Sequence, residues 1–563
     1  MKKIIVIGGL SAGPSAAAKA RRENEQAEII LFEKGANISY ATCGMPYAFS
    51  GVIESRDKLM VVKPALLQNR FNIDVRLNEE IIKIDTAAKK VFSSKGVYTY
   101  DKLIFATGAK SIVPPIENIK LANNWSTCRS MPDFDKIMKL GLTEESKHIT
   151  VVGAGLIGVE VAENLIEAGK KVTLIEGSSH VLNMWQQKFG NFAEQILRSE
   201  GVEVLTNTLI SKFNIDEDGK ILSVVTKEGQ SIPTDFVILS TGIKPNTDLL
   251  IAEGAASIEN GALKVNAHME TSIKDVYAAG DNISLKNLQT DSDDYFPLGT
   301  HSNKAGRAAG ANAVSGNHRV FNGAYKTAIV KVFDYTLART GLNPTVLKTM
   351  GRAFKTVLTV AGATPGYYPG QKDLISEIYY DPKTDEILGA ELFGEVGVDK
   401  RIDVISTAIY AKLKMADLSQ LDLAYAPPFS PAKDPVVVTG FVAENVRLGK
   451  SEQISVEDLD AFMKATAQDD YMLLDVRTAN EHEKGTIPGA INIPLDDLRN
   501  HVHAVKNRNK KVIIFCQKGL RGYLAESILR NNGIQDIANV AGGFKIWNMY
   551  STQIEFPKKN HAV

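Results

Sequence analysis

Cysteine is scarce in this chain: Cys43, Cys128 and Cys516 are the only three in 563 residues. So odd and sparse a count excludes a disulfide framework. It points to a reducing, cytoplasmic setting, where a retained cysteine is either buried or chemically used. Excess charge of either sign is also missing, with 65 Lys and Arg against 65 Asp and Glu. That balance gives no general attraction to nucleic acid or an anionic membrane, so an anionic ligand must be met by a local basic pocket. No apolar run approaches the roughly 20 residues of a membrane span. The opening MKKIIVIGGLSAG is short, β-branched and broken by glycines, and reads as a first strand rather than a signal peptide. The rest is ordinary globular composition, 44% hydrophobic and 23% charged, long enough for about three or four domains.

KKIIVIGG, SAGPSAAAKARREN and AEIILFEK read as strand, helix and strand, and the same grammar returns in HITVVGAGLIGVEVAENLIEAGKKVTLIE, residues 148–176. In the second unit Gly153, Gly155 and Gly158 form a full G-x-G-x-x-G. Glu160 follows in the helix, and Glu176 ends the next strand. Such glycines let backbone approach a pyrophosphate at a helix N-terminus, and the acid can accept bonds from a ribose hydroxyl. The following Gly-Ser-Ser-His offers no arginine for a 2′-phosphate, which favours NADH over NADPH. The first unit has Gly8, Gly9 and Gly13, with Leu10 in the second glycine position and Glu33 closing its strand. No metal is expected.

Two later pieces, LIFATGA with Thr107 and Gly108, and DVYAAGDN with Asp281, complete a pattern that resembles the pyridine nucleotide-disulfide oxidoreductase family. The resemblance implies an α/β chain in which an FAD domain, 1–112 with 250–325, is interrupted by an NAD(H) domain, 113–249. An α+β dimerisation domain over 326–444 and a homodimer follow from it. Relatives with two redox cysteines carry C-x-x-x-x-C, but here the second position is Ala48. Ser39-Tyr-Ala-Thr-Cys-Gly-Met-Pro-Tyr47 is instead similar to the single-cysteine coenzyme A-disulfide reductases, which implies that Cys43 works against the flavin. Gly44 and Pro46 suit a turn entering a helix, whose unpaired N–H groups favour a thiolate.

The same resemblance implies further roles. Tyr425, in AYAPPFSPAKD, would reach across the dimer as proton donor, with Tyr367 or Tyr368 of GYYPG beside it. Lys19 and Arg22 would meet the phosphates of coenzyme A. Ser39 and Thr42 would border the pantetheine arm, Thr42 standing where those enzymes often have asparagine, and Lys304 is a further candidate. Past a polar linker, 445–452, residues 453–563 closely resemble a rhodanese domain. Cys516-Gln-Lys-Gly-Leu-Arg521 matches the C-x-x-G-x-R loop, whose successive N–H groups stabilise a thiolate or persulfide. Asp475 and Arg477 have a scaffold role, and Thr486 replaces the usual histidine.

The expected activity is NADH-dependent reduction of coenzyme A disulfide, or of its persulfide or polysulfide, with Cys516 carrying sulfane sulfur. An NADH oxidase or peroxidase and a rhodanese-led sulfurtransferase are the alternatives.

Overall fold

The computed structural model describes residues 2–508 and 510–551. They fall into two compact units: the chain up to Val181 with Gly201–Tyr325, and Leu182–Glu200 with the described chain from Lys326 onward.

The first unit is built on two five-stranded parallel sheets. One runs Val276–Ala278, Lys102–Phe105, Lys3–Ile7, Glu28–Phe32 and Asp74–Arg76. The other runs Glu203–Leu205, Lys171–Ile175, His148–Val152, Phe236–Leu239 and Trp125–Thr127. Strands covered on both faces need unbroken apolar runs rather than alternation, and Ile4, Ile5 and Val6 are fully buried accordingly. The alanine-rich helix Ala12–Glu23 packs along Gly299–Ser315. A Cβ at Gly306 or Gly310 would fall 2.4 or 2.1 Å from a carbonyl oxygen of Ala12 or Ala16, so small residues set this close helix pair.

The second unit holds an antiparallel sheet in the order Ala328–Val332, Tyr335–Gly341, Ile387–Gly394, Asp373–Tyr380 and Lys355–Gly362. Its other sheet is parallel: Gln453–Ile454, Ile537–Val540, Lys511–Phe515, Tyr471–Asp475 and Ile491–Asn492.

Two boundaries differ from the sequence expectation. The helix Gln187–Ser199 lies inside the stretch assigned to the NAD(H) domain, yet it belongs to the second unit. The Phe192 ring packs tilted against Phe393 with centroids 5.5 Å apart, and the buried Lys188 ammonium pairs with Glu377 at 2.6 Å. The linker is shorter at its start, because the helix Pro435–Arg447 takes in residues 445–447 and leaves 448–452 as the connection to the strand Gln453–Ile454. Leu448 N–H donates to Glu444 O at 2.9 Å and Gly449 N–H to Val446 O at 3.2 Å, so the polar composition of this stretch did not stop the helix.

Candidate functional site

The first unit contains a cavity of about 1050 Å³ lined by Gly8, Gly9, Leu10, Glu33, Thr107, Gly108 and Arg129, among others. Glu33 accepts Gly9 N–H and Gly35 N–H, one on each oxygen at 2.8 Å. A lone pair is left on each for a ribose hydroxyl. Thr107 donates its hydroxyl to Asn246 O at 2.6 Å, and Asn282 Nδ2 donates to that hydroxyl at 3.3 Å. Asp281 receives Arg129 Nη2 at 2.8 Å and the Ser302 hydroxyl at 3.1 Å. Gly8, Gly9, Glu33, Thr107 and Gly108 therefore line one dinucleotide-sized space, to which Arg129 ties Asp281, and these groups fit FAD.

The second phosphate turn repeats the plan. Glu176 accepts Ala154 N–H at 2.7 Å and Ser178 N–H at 2.8 Å. A Cβ on Gly13 or Gly158 would lie 1.8 Å from the carbonyl oxygen of Gly8 or Gly153, so strand and helix can meet only through glycine. A Cβ on Gly155 would meet nothing within 4 Å. That glycine is not required by the chain's own packing. It leaves open the space into which a pyrophosphate fits. Glu160 is also bound within the protein, accepting the Tyr47 hydroxyl at 3.2 Å. Burial, then Glu160 and Glu163, push the Tyr47 phenol well above its ordinary value, so it remains a hydrogen-bond donor.

Cys43 is exposed in the 3-10 turn Thr42–Gly44, which feeds the short helix Met45–Phe49 with Pro46 in its first turn. The Thr42 hydroxyl lies 4.0 Å from its sulfur. Ser39, with φ of 45°, is pinned by its N–H to Gly9 O at 2.8 Å. Ala48, where a second cysteine would stand, is buried in that helix. The basic helix face is weaker than its spacing suggests. Lys19 is mostly buried and paired one turn on with Glu23, whereas Arg22 is exposed. Lys304 is exposed on the helix packed beside it.

In the second unit the Tyr367 and Tyr425 hydroxyls lie 3.3 Å apart. Their side chains are nevertheless 74% and 52% exposed. Their hydrogen bond raises the Tyr367 phenol above its ordinary value. Tyr368 is partly buried, with its N–H bonded to Pro365 O, so the geometry selects Tyr367 as the neighbour of Tyr425.

Cys516, 2% exposed, ends the strand Lys511–Phe515 and precedes the helix Leu520–Asn531. Gly519 N–H donates to its sulfur at 3.1 Å, and Phe544 N–H to its carbonyl at 2.7 Å. Arg521 forms a bidentate pair with Glu481 at 2.6 and 2.7 Å. Arg521 first, through these bonds, holds the Glu481 carboxyl down to about 2. Arg477 is buried over the Phe544 ring and binds Asp475 at 2.8 Å. Asp475 also accepts Thr486 at 3.0 Å and His482 at 2.9 Å, so two side chains from one short stretch converge on the scaffold acid. Burial pushes Asp475 up, but Arg477 and His482 outweigh it and hold the carboxyl below its usual range.

Several residues escaped the sequence reading. Arg129 follows Cys128 in a segment without a motif, and Asn246, Asn282, Gln517 and Glu481 are polar residues that many loops carry. Glu481 had a local signal, as the third residue of a Thr478 capping box, and Asn282 and Gln517 lie inside the DVYAAGDN and C-x-x-G-x-R motifs without having been given a role of their own. Burial pushes the Cys128 thiol up to about 12, which keeps it protonated and unreactive.

Comparison with known proteins places these features together. Residues 2–303 match the family described as pyridine nucleotide-disulphide oxidoreductase, residues 327–435 its dimerisation domain, and residues 455–550 the rhodanese-like domain. The NAD(P)H coenzyme A polysulfide/persulfide reductase of Pyrococcus horikoshii is 34% identical over 441 residues, 78% of this chain and 97% of that one. The crystal structure of reduced Bacillus anthracis CoADR-RHD aligns with a TM-score of 0.92 at 37% identity, covering 97% of this chain and 98% of its own. A NAD-dependent persulfide reductase from A. fulgidus aligns at 0.89 with 35% identity, over 97% of this chain and 100% of its own. With two paired glycine turns, a lone exposed thiol between them and a buried cysteine loop in its last domain, the chain belongs to the pyridine nucleotide-disulphide oxidoreductase family, extended by a rhodanese-like domain.

Proposed function

We propose that this chain is an NADH-dependent reductase of coenzyme A disulfide and of coenzyme A persulfide or polysulfide, acting as a homodimer in a reducing cytoplasm. The observation that carries the reading is Cys43, exposed and without a second cysteine in its helix, since Ala48 is buried there. A lone thiolate completes a disulfide cycle only if the substrate supplies the other sulfur.

Bound FAD, in the cavity around Glu33, Thr107, Arg129 and Asp281, would supply the two-electron chemistry that links NADH to sulfur. Gly155 and Glu176 would hold the pyrophosphate and ribose of NADH. The Cys43 thiolate attacks one sulfur of coenzyme A disulfide, forming the Cys43–S–S–CoA mixed disulfide as the other coenzyme A leaves as thiolate. With coenzyme A persulfide the same attack expels hydrosulfide. Tyr425, hydrogen-bonded to Tyr367, would protonate the leaving thiolate at the Cys43 of a second protomer. The wide exposure of both tyrosines supports a role that a second chain completes. Arg22 and Lys304, both exposed, would meet the coenzyme A phosphates, with Ser39 and Thr42 beside the pantetheine arm. Lys19 contributes less because Glu23 occupies it. Cys516 would carry sulfane sulfur as a persulfide within the N–H nest of its loop, with Arg521 locking that loop through Glu481.

Mass spectrometry of the purified protein under denaturing, non-reducing conditions tests the reading. A coenzyme A adduct on Cys43, removed by NADH, is the expected result. Sulfenic acid at Cys43 with no adduct would move the assignment to an oxidase or peroxidase.

A further inference from the structure

The loop that bears Cys516 is gripped from outside its own domain. Lys518, two residues past the cysteine, reaches Asp373 Oδ1 at 2.7 Å, and Lys545 reaches Asp373 Oδ2 at 2.5 Å. Lys545 is itself tied to the loop, because its backbone N–H donates to Gln517 O at 3.1 Å. One carboxylate therefore holds the Cys516 loop at two points. Asp373 opens the strand Asp373–Tyr380 and pairs with Gly362 at the end of Lys355–Gly362. The loop between these strands, residues 363–372, carries Tyr367. Asp373 thus stands at the root of the hairpin that presents Tyr367 to Tyr425, and Gln371 Nε2 braces it at 3.2 Å. Its side chain is 12% exposed, so these ion pairs are less screened than surface ones. Burial pushes the carboxyl up, and the two lysines outweigh that and keep it ionised.

We propose that Asp373 is a positioning residue for sulfur transfer, holding the rhodanese loop at a fixed offset from the hairpin loop that sets Tyr367 against Tyr425, so that coenzyme A travels a defined path between the two. The inference rests on the sulfur relay proposed above. In the step concerned, a coenzyme A thiolate attacks the outer sulfur of the Cys516 persulfide, the S–S bond breaks, and the electron pair leaves on the Cys516 thiolate. The outer sulfur departs as coenzyme A persulfide, which Cys43 then reduces with electrons from NADH. A fixed offset lowers the cost of bringing donor and acceptor into line.

The test uses the full-length holoenzyme with inorganic polysulfide and coenzyme A. The variants are Asp373→Asn, Lys545→Met, the double variant and Cys516→Ser. Asp373→Asn is expected to lower kcat for polysulfide-dependent NADH oxidation about tenfold. Coenzyme A disulfide reduction, the KM for NADH and the persulfide mass on Cys516 after polysulfide treatment should all stay at wild-type values. Lys545→Met should show the same split, and the double variant should lose less than the product of the single losses, as coupled partners do. Losses that multiply, a parallel fall in coenzyme A disulfide reduction, or unchanged polysulfide turnover in Asp373→Asn would overturn the role of Asp373. Polysulfide turnover that survives Cys516→Ser would overturn the relay, and the inference with it.

Discussion

The two reactive cysteines occupy opposite environments. Cys43 is exposed in a turn of three residues, with one hydroxyl 4.0 Å away, whereas Cys516 is 2% exposed with a backbone N–H on its sulfur. A buried sulfur with a backbone N–H already directed at it suits a group that holds sulfur between turnovers. An open thiol depends on what is brought to it. The difference teaches that the Cys516 sulfur is already held by its own loop, which Asp373 of the neighbouring sheet braces from outside. In the function proposed, the reducing site would be finished by cofactor, substrate and a second protomer's tyrosines.

The contrast breaks most directly by removing each sulfur. Cys43→Ser is expected to lower NADH-driven reduction of both coenzyme A disulfide and polysulfide by at least about 1,000-fold, the scale seen when an attacking group is lost. Cys516→Ser should abolish the polysulfide reaction alone. Parallel spectrophotometric assays of NADH loss check both. If Cys516→Ser removes both activities, the division of labour between the two sites is wrong.

Next in size is the tyrosine pair. Tyr425→Phe should lower kcat for coenzyme A disulfide by about 100-fold, within the range of general acid catalysis. Tyr367→Phe, which keeps the ring and loses the hydrogen bond, should cost about tenfold. Persulfide loading of Cys516, followed by mass, should not respond to either change.

The smallest effect concerns the support of Cys516. Arg521 holds the Glu481 carboxyl at about 2, below its ordinary 4.5. A depressed folded-state value means stability that is fully present above about 4.5 and is lost as pH falls toward about 2. Thermal unfolding between pH 5 and pH 2.5 should therefore depend less on pH in Glu481→Gln than in the wild type, by a few degrees at most. An unchanged pH dependence would show that the pair contributes nothing to the domain.

Motifs with fixed local spacing were legible in the sequence. The glycine turns, Glu33, Glu176 and the Cys516 loop act through backbone groups a few residues apart, so their order in the chain already encodes their geometry. What was not legible depends on distant partners. The Lys19–Glu23 pair, one helical turn apart, was open to the sequence, but nothing local indicates that Arg129 ties Asp281 or that Glu160 receives Tyr47. Tyr367 and Tyr368 are adjacent and chemically alike. Only the turn of the hairpin aims one of them at Tyr425.

By itself the sequence determined the fold class and the order of the matched domains, and it singled out Cys43 and Cys516 as the candidate nucleophiles, because apolar period, glycine position and cysteine scarcity are properties of short windows. Tertiary structure alone decided which charges remain open to a ligand and which are already paired. The energy of an ion pair depends on distance and burial, and side chains such as Asp373 and Lys518, 145 positions apart in the chain, acquire both only on folding.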